Sequence, residues 1–175
     1  MPRRKVFISY HRTDTDEVRA FVEAATDTHD IFIHRAAAMM PQDIIDSDDT
    51  DYVMRRVRED YLEDSTVTLV LVGRCTWARR FCDWEIQSSL RSGPQTTPNG
   101  LLGIVLPSAA QNPIAPNRLS INLGTQQALG YARWYHYPQT ADALTGWIED
   151  AFAARTSRTN LIVNPRERFA NNRAC

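Results

Sequence analysis

The sequence has no strong excess of charge and no long apolar run. Its 175 residues include 20 Lys or Arg and 21 Asp or Glu, a formal net charge of −1, so no global basic field favours nucleic-acid binding. No stretch approaches the roughly 20 apolar residues of a membrane-spanning helix. The apolar run behind the basic residues Met1–Lys5 is too short for a signal peptide. We therefore expect a soluble, cytoplasmic protein that binds neither nucleic acid nor a membrane.

Cysteine and histidine are also scarce. The three cysteines, Cys75, Cys82 and Cys175, contain no CxxC pair, and the four histidines are scattered without ligand spacing. We therefore expect no metal site and three reduced thiols. No histidine or lysine adjoins Cys82, which favours an inert, small apolar role for it over a reactive one.

Several nucleotide-binding and catalytic motifs are missing as well. The sequence has no G-x-x-x-x-G-K-[ST] loop, no G-x-G-x-x-G turn and no G-x-S-x-G elbow. A glycine-rich phosphate cradle and a nucleophile elbow are therefore excluded. A phosphoreceiver is excluded too, because the third predicted strand ends in Gly73-Arg74 and not in an aspartate.

Strand and helix patterns alternate along the chain. Segments with helical periodicity lie between the predicted strands. Thr13 or Asp14 is the candidate N-cap of the first helix, and Ser47 is that of the second. We expect one domain over residues 1–155, a long irregular loop at 108–130 and a polar, partly disordered tail at 156–175. The predicted strands are Lys5–Tyr10, Asp30–Arg35, Thr66–Gly73, Leu101–Leu106 and Arg133–Tyr137.

This alternation predicts an α/β, flavodoxin-like, doubly wound sheet of five mostly parallel strands in the order 2-1-3-4-5. Thr66–Gly73 is uncharged, as a central strand buried on both faces requires. Ligands in such sheets bind where the strand order reverses, here between strands 1 and 3. Glu85 follows the loop Arg74–Arg80 at that point. From spacing alone, two interpretations of Glu85 are equally good: a catalytic residue or a solvated helix residue.

Two motifs resemble one family. The opening KVFISYHRTD resembles the first strand and loop of TIR and TIR-like domains. The run S-x-VTLVLVG-x-x-T-x-x-R, followed by W-E-I, is similar to the TIR-like ThsB group of the Thoeris anti-phage systems. The resemblance covers Lys5–Leu106 and implies the TIR-like version of the flavodoxin-like fold. The loop Ala36–Asp46 departs from the glycine-and-proline pattern of many TIR domains.

The resemblance implies an enzyme that consumes NAD as its substrate and needs no cofactor. Such enzymes break the nicotinamide–ribose bond, and their glutamate maps onto Glu85 in the W-E-I motif. One carboxylate suits this chemistry because nicotinamide leaves as a neutral molecule and an oxocarbenium-like ribose develops, which an anion stabilises. We expect the helix N-terminus to favour the ionised form of Glu85.

The other candidate site residues flank the same crevice. Ser9, Tyr10 and His11 are candidates to contact ribose, phosphate or nicotinamide, and Arg12 to bind the pyrophosphate. Trp77 is a candidate to stack on a base, and Asp43 is a candidate second acidic group. The alternatives are that Tyr10 only packs, that Arg12 is solvated, that the pair Arg79–Arg80 is solvated and that Trp84 belongs to the core.

Two functions stay open on the sequence. The first is an NAD glycohydrolase or ADP-ribosyl cyclase that makes a linear or cyclic ADP-ribose-derived signal on phage infection. The second is a non-catalytic TIR-like module that self-associates or docks another protein. The chain carries no fused effector domain, so the enzyme reading predicts a separate effector protein that binds the small-molecule product.

Overall fold

Five parallel strands form one sheet in the order β2-β1-β3-β4-β5 in the computed structural model, which describes residues 3–35, 49–125 and 130–175. Each predicted strand is present, with ends that differ by one or two residues, and the predicted order is confirmed. The order therefore reverses between β1 and β3. The strands are β1 (Arg4–Ser9), β2 (Phe32–Arg35), β3 (Val67–Val72), β4 (Gly100–Val105) and β5 (Arg133–Tyr135).

The central strand β3 is buried along its whole length. It pairs with β1 on one side and β4 on the other, and all six of its residues are buried. A parallel strand with helices on both faces has no solvent side, which is why its sequence is apolar or uncharged throughout. At the sheet edge, β2 is short and its Ile33 is 37% exposed.

Helices cover both faces of the sheet. On one face, α1 (Thr15–Glu23) and α5 (Ala141–Ser157) contribute Phe21 and Ile148 to the core. On the other lie α2 (Thr50–Arg56), α3 (Arg80–Ser89) and α4 (Asn117–Ser120). The helix α5 approaches β4 so closely that a Cβ at Gly100 would lie 1.9 Å from the Ala151 carbonyl oxygen. The predicted loop Ala36–Asp46 and the predicted N-cap Ser47 lie outside the described residues.

Residues 162–175, called the C-terminal strap below, run across α3. The sequence predicts partial disorder from residue 156, but α5 continues to Ser157 and a 3-10 turn follows at Thr159–Leu161. The strap then contacts α3 through side chains of the helix: the Trp84 indole N–H donates to the Phe169 carbonyl at 3.0 Å, and Gln87 donates to the Pro165 carbonyl at 3.0 Å.

The strap ends in a disulfide bond. Cys175 is bonded to Cys75 in the loop after β3, with 5.5 Å between their Cα atoms. The prediction of three reduced thiols is therefore wrong for this pair, because the two residues are 100 positions apart and meet only through the tertiary fold. Cys82 is free and buried. In the described ranges, no helix combines the length and the apolar character that crossing a membrane requires.

Candidate functional site

The candidate site lies at the carboxyl ends of β1 and β3, where the connections from the two strands leave to opposite faces of the sheet. After β1 the chain turns through a 3-10 helix at Arg12–Asp14, and after β3 through another at Thr76–Ala78. The Thr76 hydroxyl oxygen accepts the Gly73 N–H at 3.0 Å and so fixes the second turn. The two turns flank the crevice that the sequence predicts.

One buried hydrogen bond joins the two sides of this site. The Ser9 hydroxyl, on the last residue of β1, donates to Oε2 of Glu85 in α3 at 2.6 Å. Ser9 is 0% exposed and Glu85 is 3% exposed. The alternative that Glu85 is a solvated helix residue is therefore wrong.

Burial dominates the ionisation of Glu85. It raises the pKa of the carboxyl from 4.5 to about 8, against the opposing effect of the Ser9 hydrogen bond. The expectation that the helix N-terminus favours the charged form is wrong, because Glu85 is the sixth residue of α3 and the helix dipole acts within the first turn. Desolvation of the anion prevails instead. The carboxyl is mostly protonated at neutral pH unless a nearby positive charge favours the anion.

The Cys82 thiol packs one helical turn before Glu85. Its S–H donates to the Tyr10 carbonyl oxygen at 3.6 Å. Burial, and then the charge of Glu85, raise the pKa of Cys82, so the thiol stays protonated and is a poor nucleophile. Cys82 thus fills space between β1 and α3.

Asp14 is an acidic group at the same end of the sheet. It occupies the predicted N-cap position of α1, but its side chain makes no capping hydrogen bond. The carboxylate lies against Gly73 instead: a Cβ on Gly73 would be 2.1 Å from Asp14 Oδ2. Oδ2 is buried and has no hydrogen-bond partner. Burial and then the charge of Glu17 raise the pKa of Asp14, while the nearby hydroxyls of Thr13 and Thr76 lower it.

Arg79, the residue before α3, is half-buried. Its Nε is buried without a partner, and its guanidinium has no hydrogen bond or ion pair with any part of the chain that the structure describes. Its charge nevertheless acts on two neighbours. Burial lowers the pKa of His11 and the charges of Arg79 and Arg12 lower it further, and Arg79 also acts to lower the pKa of Cys82.

Arg80 differs from Arg79. Its backbone N–H donates to the Asn172 side chain at 3.0 Å, and its guanidinium lies 5.2 Å from the Phe81 ring centroid and 5.3 Å from that of Trp84. The alternative that Arg79 and Arg80 are no more than a solvated pair is wrong for Arg80, whose guanidinium lies over two aromatic rings, and stays open for Arg79. Trp84 belongs to the core, as expected.

The remaining predicted residues have different settings. Tyr10 is half-buried and packs against the core. His11 is half-buried, with Nδ1 2.6 Å from the Thr13 hydroxyl, and Arg12 is exposed. Asp43 lies outside the described residues.

Trp77 lies at a cavity of about 530 Å³ beside the site, which Arg74, Ser108 and Cys175 also line. Ser9, Tyr10, His11, Arg12 and Glu85 do not line this cavity. Trp77 is half-buried and lines that cavity.

The outer side of α3 is held by a buried ion pair and the C-terminal strap. Arg118 of α4 donates from Nε to Asp83 Oδ1 at 2.8 Å, and both side chains are buried. Arg118 also donates to the carbonyls of Pro165 and Glu167, and the Phe169 N–H donates to Asp83 Oδ2. A charge that is removed from water is retained only where such partners satisfy it. These contacts fix the helix that carries Glu85.

The sequence predicts Ser9 and Glu85 at this end of the sheet, where the structure joins them, but does not single out Asp14 and Arg79, which the structure also places there. Local patterns predict a cap at Asp14 and a solvated charge at Arg79, and only the packing of β1 against β3 brings them to one place. In the part of the chain that the structure describes, no three His, Cys, Asp or Glu side chains gather as a metal site.

The family model described as the Thoeris protein ThsB, TIR-like domain, matches residues 7–111, which include the second half of β1, all of β3 and α3, and every predicted site residue. No curated protein matches the chain.

Proposed function

The chain belongs to the TIR-like domain family of the Thoeris protein ThsB, and on that basis we propose that it is an NAD-consuming enzyme of anti-phage defence. It cleaves the nicotinamide–ribose bond and releases an ADP-ribose-derived signal, linear or cyclic, which activates a separate effector protein. NAD is the substrate, and no cofactor takes part.

The observation that carries this proposal is the buried hydrogen bond from Ser9 to Glu85. A carboxyl that is 3% exposed, with a pKa of about 8, is costly to keep in a fold that gains no stability from its charge. Strongly perturbed carboxyls at a crevice are typical of catalytic sites. The carboxyl end of a doubly wound sheet, at the switch in strand order, is where ligands bind in such folds.

The reaction needs one anion and a dry site. The glycosidic bond between C1′ of the ribose and the nicotinamide nitrogen breaks, and its electron pair stays on that nitrogen, which loses its positive charge. The ribose becomes oxocarbenium-like. In hydrolysis, water then bonds to C1′ and releases one proton, giving ADP-ribose. Attack by a group of the same ADP-ribosyl moiety gives a cyclic product.

Glu85 supplies the anion in this scheme. The cationic nicotinamide ring favours the ionised carboxylate, which lowers the pKa of Glu85 when NAD binds. The Ser9 hydroxyl assists by donating to Oε2 of Glu85, because a hydrogen bond to the carboxylate stabilises its charged form. The carboxylate then faces the positive charge as it moves from the ring nitrogen to the ribose, in a site of low dielectric constant where such stabilisation is large.

The test of this proposal is NAD consumption by the purified protein, with mass spectrometry of the products. Glu85→Gln keeps the shape of the side chain and removes its charge, and should lower the rate by about two orders of magnitude or more. Glu23→Gln, the same change on an exposed residue of α1, is the matched control and should retain the rate. A folded Glu85→Gln protein that still consumes NAD would rule out this role.

The link to the effector is tested with a small-molecule filtrate. A filtrate from phage-infected cells that carry the wild-type chain should activate the effector, and one from Glu85→Gln cells should not. Activation that requires the protein itself, and that survives removal of all small molecules, would favour the alternative function as a non-catalytic interaction module.

A further inference from the structure

Two of the four buried polar atoms that lack a hydrogen-bond partner in the described ranges lie at the end of the sheet that carries Ser9 and Glu85. They are Oδ2 of Asp14 and Nε of Arg79; the other two, Nε of Arg158 and of Arg168, belong to side chains with other partners. Buried polar atoms in folded proteins almost always have partners, so each exception needs a physical reason. Two such exceptions of opposite charge, one on each side of the crevice, indicate groups that are kept for a ligand.

The positions of the two residues support this interpretation. Asp14 lies against the end of β3, over Gly73, where no side chain larger than hydrogen leaves room for its carboxylate. Arg79 directly precedes the helix that carries Glu85. The charges of Glu85, Asp14 and Arg79 all act on the buried Cys82 thiol, which is consistent with their positions at this end of the sheet.

The two groups do not neutralise each other. No ion pair joins Asp14 to Arg79 among the residues that the structure describes, and the polar neighbours of the Asp14 carboxylate there are the neutral hydroxyls of Thr13, at 3.5 Å from Oδ1, and of Thr76. An ionised carboxylate only accepts hydrogen bonds and a guanidinium only donates them. A ligand that satisfies both must therefore carry hydroxyl donors and anionic oxygen acceptors.

We propose that Asp14 and Arg79 form a binding subsite for a nucleoside diphosphate, in which Asp14 accepts a hydrogen bond from a ribose hydroxyl and Arg79 donates to a phosphate oxygen. This inference rests on the proposed function, because it assigns the subsite to the dinucleotide whose nicotinamide ribose lies at Glu85. It also moves the pyrophosphate contact from Arg12, which is exposed, to Arg79, which is half-buried and unpaired. A guanidinium at a partly desolvated site binds phosphate more strongly than one in water.

The test measures equilibrium binding of two probes, ADP-ribose and inorganic pyrophosphate, by calorimetry. The parent protein is Glu85→Gln, so that no turnover occurs. Adding Arg79→Gln should weaken the binding of both probes at least tenfold. Adding Asp14→Asn should weaken the binding of ADP-ribose at least fivefold without weakening that of pyrophosphate, because pyrophosphate has no ribose hydroxyl. Arg91→Gln removes the same charge beyond the other end of α3 and is the matched control, with both affinities unchanged.

A second measurement separates a binding role from a structural one. Asp14→Asn removes a buried, unsatisfied charge, so the variant should melt at a higher temperature than its parent while it binds ADP-ribose more weakly. A residue that only supports the fold would lower both the melting temperature and the affinity.

Three outcomes overturn the inference. The first is unchanged ADP-ribose affinity in both variants. The second is loss of pyrophosphate binding in Arg12→Gln but not in Arg79→Gln. The third is absence of ADP-ribose binding to the Glu85→Gln parent at millimolar concentration. In each case, the NAD consumption of the wild-type protein decides separately on the proposed function.

Discussion

Glu85 is a carboxyl whose ionisation and burial oppose each other. Its side chain is almost wholly enclosed, and the Ser9 hydroxyl is its one hydrogen-bond donor among the described residues. A carboxylate in water accepts several hydrogen bonds, and one hydroxyl does not replace them. The loss of these hydrogen bonds on burial is why the pKa of Glu85 is raised.

The pH dependence of the rate follows from this pKa. The profile of kcat/KM reports the groups of the free enzyme. If the anion of Glu85 is the active form, kcat/KM should rise with pH through an apparent pKa of about 8. Ser9→Ala removes the hydrogen bond that favours the anion, so the midpoint should move to higher pH. A flat profile across this range would contradict the role of the Glu85 anion.

The same pKa predicts how stability changes with pH. The pKa of Glu85 is raised from 4.5 to about 8 on folding, so the folded state holds this proton more tightly than the unfolded state does. The wild type should therefore lose stability as pH rises from about 4.5 to about 8. Glu85→Gln carries no such proton and should be more stable than the wild type at pH 8, by roughly a few kcal/mol.

Thermal unfolding of both proteins at pH 5 and pH 8 tests this difference. The gap between the two melting temperatures should be small at pH 5 and should widen at pH 8. A gap that does not depend on pH would show that the pKa of Glu85 is the same in the folded and unfolded states.

At the level of single elements, strand β3 is the part of the fold that the sequence determines best. Its burial is readable because eight consecutive residues rich in Val, Leu and Thr and without charge suit a strand with no solvent face. Val67, Leu69, Val70 and Leu71 are each 0% exposed, as predicted. The surrounding strands follow from the same alternation of strand and helix, and their order from the commonest topology of a small doubly wound sheet.

The substitution Leu69→Ala tests how much the burial of β3 contributes to the free energy of unfolding. The side chain lies in the core beneath α1 and α5, so its truncation removes apolar contacts and leaves a cavity. We expect a loss of about 2–5 kcal/mol in the free energy of unfolding. Denaturant unfolding gives the value directly, with Ile33→Ala on the exposed edge as the control. A loss below about 1 kcal/mol at Leu69 would contradict a rigid core at this position.

Helix α3 is the element that the sequence determines least. All residues from Cys82 to Ser89 are buried, including the polar Asp83, Gln87 and Ser88. Helical periodicity assigns polar positions to solvent. Here the C-terminal strap and Arg118 cover that side, through partners that lie 35 to 86 positions away along the chain. No local pattern encodes contacts at such separations, which is why the sequence predicts a partly disordered tail at 156–175 and not this cover.

For the whole molecule, the Cys75–Cys175 bond is the strongest constraint on the strap. A disulfide that closes a loop of about 100 residues lowers the entropy of the unfolded chain by an amount worth roughly 4–5 kcal/mol, and measured values for disulfides are commonly 2–4. The bond therefore stabilises the fold and holds the strap against α3 at the same time.

Cys175→Ser should lower the free energy of unfolding by about 2–4 kcal/mol in oxidising buffer. In a buffer with a strong thiol reductant, the wild type should become no more stable than the variant, because both then lack the bond. The measurement is denaturant unfolding of both proteins under both conditions. A stability difference that persists in reductant would mean that the serine, and not the lost bond, changes the fold.

The same bond divides the chain into a linear arm, residues 1–74, and a covalent ring, residues 75–175. Ser9 belongs to the arm and Glu85 to the ring. A single backbone cut within the ring opens it without releasing a fragment, so a nicked protein should still migrate as one chain on a non-reducing gel and should separate only after reduction. A cut in the arm between Ser9 and Cys75 releases a piece that carries Ser9. Protease damage to the two halves of the site would thus leave different marks on a gel.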